Sequence, residues 1–163
     1  MAAVDTRPRV AFVASAGGHL TQILRLAPLF GECRSVLVTE RTPVAASLPG
    51  LPADCAVEYL ACGSRSERLR YPFVFAYNVL RSVALFVRYR PDVVVTTGAH
   101  TAVPLCYVAR LFGRRVIFIE SFAKRHTPTL SGRLVYPIAT TFVVQWPEML
   151  AHYPRAEYWG SIY

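Results

Sequence analysis

"VAFVASAGGHLTQILRL", residues 10–26, joins an apolar run to a periodic apolar segment through two glycines and a histidine. Val10–Ala14 has the length and composition of a short buried strand. Leu20–Phe30 repeats its large apolar residues at helical spacing, which predicts a helix with one buried face. Glycines between a strand and a helix permit a tight turn, so this stretch predicts the strand–turn–helix unit from which parallel α/β sheets are built.

The same alternation of apolar strands and helices continues along the chain. Further strands are predicted at Ser35–Thr39, Val57–Ala61, Asp92–Thr96, Arg115–Glu120 and Thr141–Gln145. Further helices are predicted at Tyr71–Arg90, Val103–Phe112, Leu130–Ile138 and Pro147–Tyr153. Near-continuous apolar strands separated by helices are typical of a parallel sheet that is covered on both faces. A chain of 163 residues fits one such domain, residues 1–163, with the proline-rich section 40–56 as a surface loop.

The composition excludes several classes of protein. Eighteen basic and ten acidic residues give a formal net charge of +8, which suits anionic lipid or phosphorylated substrates. A solvated basic surface without a specific partner is the alternative. Zinc-finger spacing, RNP-like aromatic runs and basic zippers are missing, so nucleic acid is not an expected partner. The four cysteines form no C-x-x-C pair and the four histidines are scattered, so neither a disulfide framework nor a metal site is expected. No apolar run reaches the ~20 residues of a membrane-spanning helix, and no signal peptide is expected.

Two predicted strands are each followed by a glycine and a histidine. Ser15-Ala16-Gly17-Gly18-His19 follows the first strand, and Gly98-Ala99-His100-Thr101 follows the valine strand at 92–96. Ligands of open parallel sheets bind at the carboxyl ends of strands, so these two glycine corners are candidate binding loops. Neither corner is a G-x-G-x-x-G or P-loop motif, so dinucleotide binding is weakly supported. The residues alone leave open an anion-binding corner, a catalytic corner and an ordinary turn.

A third predicted strand ends at Glu120, which precedes the basic run Lys124-Arg125-His126. A carboxylate at the end of a strand is a candidate general acid or base, or a ligand of sugar hydroxyls. The basic run could hold a phosphate group. A solvated charged loop is the alternative interpretation.

The segment "YPFVFAYNVLRSVALFVRYR", residues 71–90, combines a long apolar helix with arginines. One stripe at helical spacing carries its polar residues Asn78, Arg81, Ser82 and Arg88. Aromatic and basic segments of this kind suit a membrane interface, where cations meet anionic lipid. Spanning is disfavoured, because an arginine at a bilayer centre would cost ~2.5–3.5 kcal/mol. An ordinary crossover helix buried against the sheet is the alternative.

Three blocks of the chain together resemble a known family. "VASAGGHLTQILRL", the block from "TTGAHTAVPL" to "FVVQWPEM", and the terminal "HYPRAEYWGSIY" resemble the PssD/CpsF proteins of bacterial capsule and exopolysaccharide synthesis. These proteins are bacterial relatives of the membrane-anchoring subunit of the eukaryotic dolichol-linked GlcNAc transferase. They are also similar to the N-terminal half of MurG-like GT-B glycosyltransferases. The resemblance implies a Rossmann-like domain of the N-terminal, acceptor-binding GT-B type.

The resemblance also implies roles for individual residues. Gly17, Gly18 and His19 match the loop that faces the acceptor diphosphate in MurG-like enzymes, and Gly98 matches the second such loop. His19 is the implied catalytic base or a ligand of the phosphate, and Glu120 is the second catalytic candidate. Further acceptor contacts are expected from Ser15, His100 and Thr101, and no metal or cofactor is required. Membrane contacts are expected from Arg65, Arg68, Arg70, Arg81 and Arg88.

The family further implies that this chain is one half of an enzyme. It would bind a lipid-pyrophosphate-linked saccharide, while a separate PssE-like subunit would bind the UDP-sugar. The expected location is peripheral, on the cytoplasmic face of the inner membrane. Tyr158, Trp159 and Tyr163 are expected at the interface with the partner, although they could instead fold back on their own sheet. The alternative function is a non-catalytic anchor that recruits and activates a catalytic partner.

Overall fold

The computed structural model of the chain describes residues 6–43, 45, 48, 50–63 and 69–162. Within these residues, seven strands form one parallel sheet in the order β3-β2-β1-β4-β5-β6-β7. The strands are β1 Arg9–Ala14, β2 Arg34–Glu40, β3 Ala56–Leu60, β4 Val93–Gly98, β5 Arg115–Ile119, β6 Thr141–Val144 and β7 Glu157–Tyr158. Because the strands are parallel, their carboxyl ends share one edge of the sheet, which we call the carboxyl edge.

Helices cover both faces of this sheet. They are α1 Gly18–Leu24, α2 Ala27–Phe30, α3 Tyr71–Tyr89, α4 Val103–Leu111 and α5 Leu130–Val135, with 3₁₀ turns at His100–Ala102 and Pro147–Ala151. α3, α4 and α5 enclose one hydrophobic core, to which Leu85 and Phe118 belong. α1 and α2 enclose the other core, to which Phe12 and Ile23 belong. The predicted parallel sheet with a core on each face is therefore present.

The central pair of strands, β1 and β4, places the two glycine corners side by side. All six residues of β4 are buried, as expected for a valine-rich strand inside a doubly covered sheet. β1 pairs with β4 in register from Val10 opposite Val93, and a register shift near its end brings Ala14 opposite Gly98. The chain reverses its direction of winding between these two strands, which is where open α/β sheets bind their ligands.

The predicted helix Leu20–Phe30 is two helices in the structure. α1 ends at Leu24, and α2 begins at Ala27 with Pro28 in its first turn. Pro28 has no N–H to donate to the carbonyl of Leu24, so a continuous helix would lose a hydrogen bond there. A proline is tolerated in a first turn, and the chain therefore starts a new helix at that point.

Most of the polar stripe of α3 faces the protein: Asn78 and Ser82 are buried, whereas Arg88 is exposed. The Asn78 side chain donates to the carbonyl of Ala61 and accepts from its N–H, both at 2.9 Å. Glu58 of β3 accepts from Arg81 at 2.7 Å and from the Tyr89 hydroxyl at 2.6 Å. Burial, followed by the hydrogen bond to Glu58, raises the pKa of Tyr89. These contacts attach α3 to β3, the outermost strand on that side of the sheet, so the large apolar residues of α3 point outward.

The C-terminal part differs from the sequence expectation in two elements. The predicted helix Pro147–Tyr153 is a 3₁₀ turn over Pro147–Ala151. β7 was not predicted, because two exposed residues show no pattern of apolar alternation. Within the described part of the chain, no helix combines the length and apolar character needed to cross a bilayer.

Candidate functional site

The two glycine corners are joined by four hydrogen bonds at the carboxyl edge. The Ser15 N–H donates to the Gly98 carbonyl at 3.0 Å, and the Ala99 N–H donates to the Ser15 hydroxyl at 3.3 Å. The Thr97 hydroxyl donates to the His19 carbonyl at 2.8 Å, and the His19 ring lies 2.6 Å from the Thr97 carbonyl. The corners therefore form one structural unit, although 78 residues separate His19 from Thr97 in the chain.

The hydrogen bond of His19 determines its tautomer. A carbonyl oxygen can only accept, so the Nδ1 atom that lies 2.6 Å from the Thr97 carbonyl carries the hydrogen. In the neutral ring, Nε2 then has a lone pair available to accept a proton. The ring is part-buried and its orientation is set by backbone rather than by a mobile side chain. These are the properties that a general base requires.

Each corner contains a glycine that no other residue could replace without strain. Gly17 has φ +82° and Gly98 has φ +98°, both in the region that L-residues rarely adopt. A Cβ atom at Gly98 would also lie 3.2 Å from Cε1 of His19 and 3.3 Å from the Ser131 hydroxyl oxygen. Gly98 therefore makes room for the His19 ring. Gly17 and Gly18 are exposed, with open space where a Cβ would lie.

A groove of about 350 Å³ opens from His19 along α3 and α5. The residues that line it are His19, Tyr71, Phe75, Ala99, His100, Val103, Thr129, Leu130, Ser131 and Leu134. The His100 ring packs against Tyr71 with 5.6 Å between ring centroids. The structure thus places His19 and His100, from the two corners, in the lining of one groove. Thr101 is a correction, because it is 1% exposed and does not line the groove.

The structure also corrects the catalytic role expected for Glu120. Its side chain is 1% exposed, and its carboxylate accepts from the Ser121 N–H, the Thr129 N–H and hydroxyl, and the Tyr153 hydroxyl. Burial and the adjacent Glu120 raise the pKa of Tyr153, so its hydroxyl keeps the proton that it donates. Glu120 is therefore surrounded by protein donors and does not reach the groove.

Glu120 nevertheless positions one wall of the groove. It binds Thr129, whose hydroxyl caps α5 by accepting from the Gly132 N–H at 2.8 Å. The Thr129 hydroxyl also lies 3.3 Å from the hydroxyl of Ser131, which lines the groove. A Cβ atom at Gly132 would collide with the Glu120 carboxylate, so glycine is required for this approach. The Glu120 carboxylate therefore positions the first turn of α5, which forms one wall of the groove.

Three further polar residues at the carboxyl edge were missed by the sequence analysis. Glu40 ends β2 and accepts from the Ala16 N–H at 3.1 Å, which braces the first glycine corner. Gln22 of α1 accepts from the Phe122 N–H and from Gln145, and both glutamines are buried. Two signals in the sequence could have indicated them: Gln22 is a polar residue on the apolar face of α1, and Glu40 is an acidic residue at the end of an apolar strand.

The arginines that were expected at the membrane divide into three groups. Arg65 and Arg68 lie outside the described residues. Arg81 and Arg88 both contact Glu58, at 2.7 Å and 3.0 Å, but 66% of the Arg88 side chain is exposed. Their membrane role also stays a prediction. Arg70 is exposed immediately before α3, and its membrane role stays a prediction.

The basic run after β5 is held by other side chains. Arg125 binds Glu148 at 2.6 Å and lies over the Trp146 ring, 4.9 Å from its centroid. This hydrogen bond lowers the pKa of Glu148. Arg125 is thus already paired, which weakens the expectation that this run holds a phosphate. No group of three His, Cys, Asp or Glu side chains converges in the described residues in a way that could hold a metal ion.

The C-terminal aromatic residues lie at the carboxyl edge. Tyr158 ends β7, and Trp159 follows it with 63% of its surface exposed. Trp159 donates to Glu157 at 2.9 Å. Ile162 turns inward, where its N–H donates to the buried Gln145. Tyr163 lies outside the described residues. The side chains of Tyr158 and Trp159 therefore remain exposed at the carboxyl edge.

Comparisons with known proteins identify relatives for most of the chain. Residues 66–162 match the family model described as "Oligosaccharide biosynthesis protein Alg14 like". The mouse (Mus musculus) UDP-N-acetylglucosamine transferase subunit ALG14 is 31% identical, over 94% of this chain and 82% of that protein. The human (Homo sapiens) subunit of the same name is 28% identical, over 98% of this chain and 87% of that protein.

Solved structures share the fold at low sequence identity. MurG of Acinetobacter baumannii superposes with a TM-score of 0.69 and 17% identity, over 86% of this chain and 43% of that one. UDP-N-acetylglucosamine 2-epimerase of Rickettsia bellii superposes with a TM-score of 0.72 and 11% identity, over 96% of this chain and 45% of that one. The chain spans less than half of each, and the expected Rossmann-like fold of the N-terminal GT-B type is confirmed.

The environment of Glu120 predicts a large loss of stability on its removal. We expect Glu120→Ala to lower the free energy of unfolding by about 3 kcal/mol or more, because several buried donors lose their acceptor at once. Urea denaturation measures this quantity. The control is Glu32→Ala, an exposed glutamate, which should change stability by less than ~0.5 kcal/mol. A Glu120→Ala protein of wild-type stability would contradict the positioning role.

Proposed function

The chain belongs to the Alg14-like family, and from this membership we propose that it is the acceptor-binding, membrane-associating subunit of a two-component GT-B glycosyltransferase. The pair would transfer a sugar from a UDP-sugar to a lipid-pyrophosphate-linked saccharide. The mouse and human relatives are named as transferase subunits, which supports a second, donor-binding chain. We propose a PssE-like partner, and polysaccharide synthesis at the cytoplasmic face of a bacterial inner membrane, on the sequence resemblance described above.

The observation that carries this proposal is the geometry of His19. Its Nδ1–H donates to the Thr97 carbonyl, which leaves Nε2 as the base. In the transfer, a hydroxyl of the acceptor attacks the anomeric carbon while the bond from that carbon to UDP breaks. Nε2 of His19 takes the proton from the attacking hydroxyl. His100 and the exposed glycine corner Gly17-Gly18 lie beside it and would contact the acceptor diphosphate.

A second candidate function is a non-catalytic anchor that activates its partner. The burial of Glu120 favours it, because of the two expected catalytic residues only His19 lines the groove. In this alternative the partner supplies the base, and His19 is at most a ligand of the acceptor diphosphate. The two functions predict different results for removal of the His19 imidazole. Turnover falls strongly if His19 is the base, and changes little if the chain is only an anchor.

We expect His19→Ala to lower turnover of the assembled pair by about 10²–10⁴-fold, the usual contribution of a general base. The measurement is transfer of labelled sugar to a lipid-linked acceptor by the co-expressed subunits, with assembly checked by co-purification. His152→Ala is the control, since His152 is exposed and the contact described for its ring is with the carbonyl of His126. A loss smaller than about threefold, with assembly intact, would favour the anchor.

The membrane contact proposed from the structure is an apolar surface rather than an arginine stripe. α3 exposes Phe73, Tyr77, Leu80, Val83 and Val87. Tyr107 and Leu111 on α4, Phe112 directly after it, and Leu130 and Leu134 on α5 are also exposed. Large exposed apolar patches mark protein or membrane contacts. Arg70 precedes α3, and exposed Arg110 and Arg133 lie next to Leu111 and Leu134 in the sequence. Apolar side chains bordered by cations suit the surface of an anionic membrane.

We expect Phe73→Gln and Leu80→Gln each to weaken binding to anionic vesicles by about tenfold or more, because each removes an apolar side chain from the lipid. Arg70→Glu should weaken binding by about 1 kcal/mol at low salt, and by less as salt increases. Vesicle co-sedimentation measures both effects. Leu150→Gln, on the 3₁₀ turn after β6, is the control. Unchanged binding of both α3 variants would place the contact elsewhere.

The proposed partner surface includes Tyr158 and Trp159. The strands are parallel, so β7 ends at the same carboxyl edge as the glycine corners. A donor-binding subunit must approach this edge to bring its sugar to His19. Exposed tyrosine and tryptophan are the residue types that most often anchor protein interfaces.

We expect Tyr158→Ala and Trp159→Ala each to weaken capture of the partner by ~2 kcal/mol, which is about thirtyfold. Point substitutions are preferable to truncation, because Tyr158 pairs with β6 and Ile162 binds Gln145. Surface plasmon resonance with the co-expressed partner provides the measurement. Tyr77→Ala on α3 is the matched control, an exposed tyrosine outside this edge. Full affinity in both C-terminal variants would rule out the surface.

A further inference from the structure

A second cavity lies at the amino ends of the strands, on the opposite edge of the sheet from His19. We call this edge the amino edge. The volume of the cavity is about 360 Å³, within the ~300–1,000 Å³ typical of small-molecule sites. Among the described residues, its wall holds one acidic side chain, Asp54, and four arginines, which are Arg7, Arg9, Arg34 and Arg88. The cavity is therefore basic.

The arginines reach the cavity from neighbouring strands and from the end of α3. Arg9 begins β1 and Arg34 begins β2, and the two residues are directly opposite each other in the parallel pairing. Arg88 lies in the last turn of α3. Like charges that are held side by side repel each other, and an anion bound between them relieves that repulsion.

The carboxylates behind the cavity do not neutralise all of these cations. Asp92 binds two arginines, Arg9 at 2.7 Å and Arg114 at 3.3 Å. Glu58 likewise shares its one negative charge between two arginines, of which Arg88 is one. Each of these groups keeps a net positive charge. The basic run after β5 differs, because there one arginine is paired with one carboxylate.

Two of the four arginines are well placed to meet a ligand. The Arg88 side chain is 66% exposed, and Arg34 is exposed at the start of β2. Arg7 and Asp54 line the cavity as an ion pair at 3.0 Å. A ligand from solvent can therefore reach the guanidinium groups of Arg34 and Arg88 while the ion pair stays intact.

The chemistry of the wall indicates an organic phosphate. Guanidinium groups bind phosphate oxygens through pairs of parallel hydrogen bonds. α3 ends at this cavity, and the carbonyl groups of a helix C-terminus disfavour anions, so an anion here must be recognised by side chains. Buried Val10, Val36 and Pro91 form an apolar part of the wall. This part suits the carbon skeleton that carries the phosphate.

We propose that the cavity at the amino edge is a second ligand site, which binds a phosphate ester through Arg34 and Arg88. The inference does not depend on the proposed transferase function, because the site uses the opposite edge of the sheet from His19. Two sources of the ester share this chemistry. One is the headgroup of an anionic phospholipid, and the other is a soluble phosphate ester.

The test measures binding of the full chain to one probe of each source. Calorimetric titration uses glycerol 1-phosphate, with uncharged glycerol as the reference. Co-sedimentation uses phosphatidylglycerol vesicles, with phosphatidylcholine vesicles as the reference. We expect Arg34→Gln and Arg88→Gln each to weaken binding of at least one anionic probe by about tenfold, because each removes a charged pair of hydrogen-bond donors. A loss confined to glycerol 1-phosphate identifies a soluble ester, and a loss that includes the vesicles identifies the lipid headgroup.

Arg155→Gln is the matched control. Arg155 is an exposed arginine that precedes β7, at the other end of the sheet from the cavity, and its removal changes the net charge by the same amount. This variant should bind both anionic probes within about twofold of the wild type, and circular dichroism confirms folding of all three variants. Arg34 is not among the residues expected at the membrane, so a loss in Arg34→Gln reports on the cavity itself.

Three results would overturn the inference. The first is binding of both anionic probes by Arg34→Gln and Arg88→Gln at wild-type strength. The second is an equal loss in Arg155→Gln, which would indicate only the overall positive charge. The third is binding of glycerol as strong as that of glycerol 1-phosphate, together with vesicle binding that does not depend on either arginine.

Discussion

The pairing of β1 with β4 is the contact on which the site depends. Ser15 and Gly98 join the ends of these strands through a backbone hydrogen bond of 3.0 Å. Thr97 holds His19 at two points, because its carbonyl binds the His19 ring and its hydroxyl binds the His19 carbonyl. Because the corners lie at the ends of adjacent buried strands, these hydrogen bonds hold them side by side. Gly98 permits this approach, since a side chain there would press on the histidine.

A buried carboxylate extends that rigidity to the other wall of the groove. Glu120 collects donors from its own loop, from Thr129 and from Tyr153. A carboxyl group of this kind is costly to bury unless its oxygens are satisfied, so it keeps these three segments together. The start of α5, and with it Ser131 and Leu130, is thereby held opposite His19. Glu120 reaches the lining of the groove through Thr129, whose hydroxyl it binds directly.

The helix α3 lies with its polar face against the domain and its apolar face on the proposed membrane surface. Glu58 and the Ala61 backbone take up the polar side chains Arg81 and Asn78. Few polar groups then remain for the outer face, which carries large apolar residues instead. In an isolated domain such a face is unfavourable. In the function proposed above, the same face would contact the bilayer from which the acceptor comes.

The sequence by itself determined the parallel α/β fold, the two glycine corners and the histidines in them. These depend on apolar periodicity and on local turn chemistry, which act over a few residues. Only the tertiary structure decided the direction of the polar stripe of α3 and the burial of Glu120 and Thr101. A stripe of polar residues has the same spacing whether it faces water or Glu58. A carboxylate at a strand end has the same neighbours in the chain whether it meets substrate or Tyr153. The choice is made by partners that lie 20 or more residues away, such as Glu58 for Arg81, 23 residues apart, and Tyr153 for Glu120, 33 residues apart.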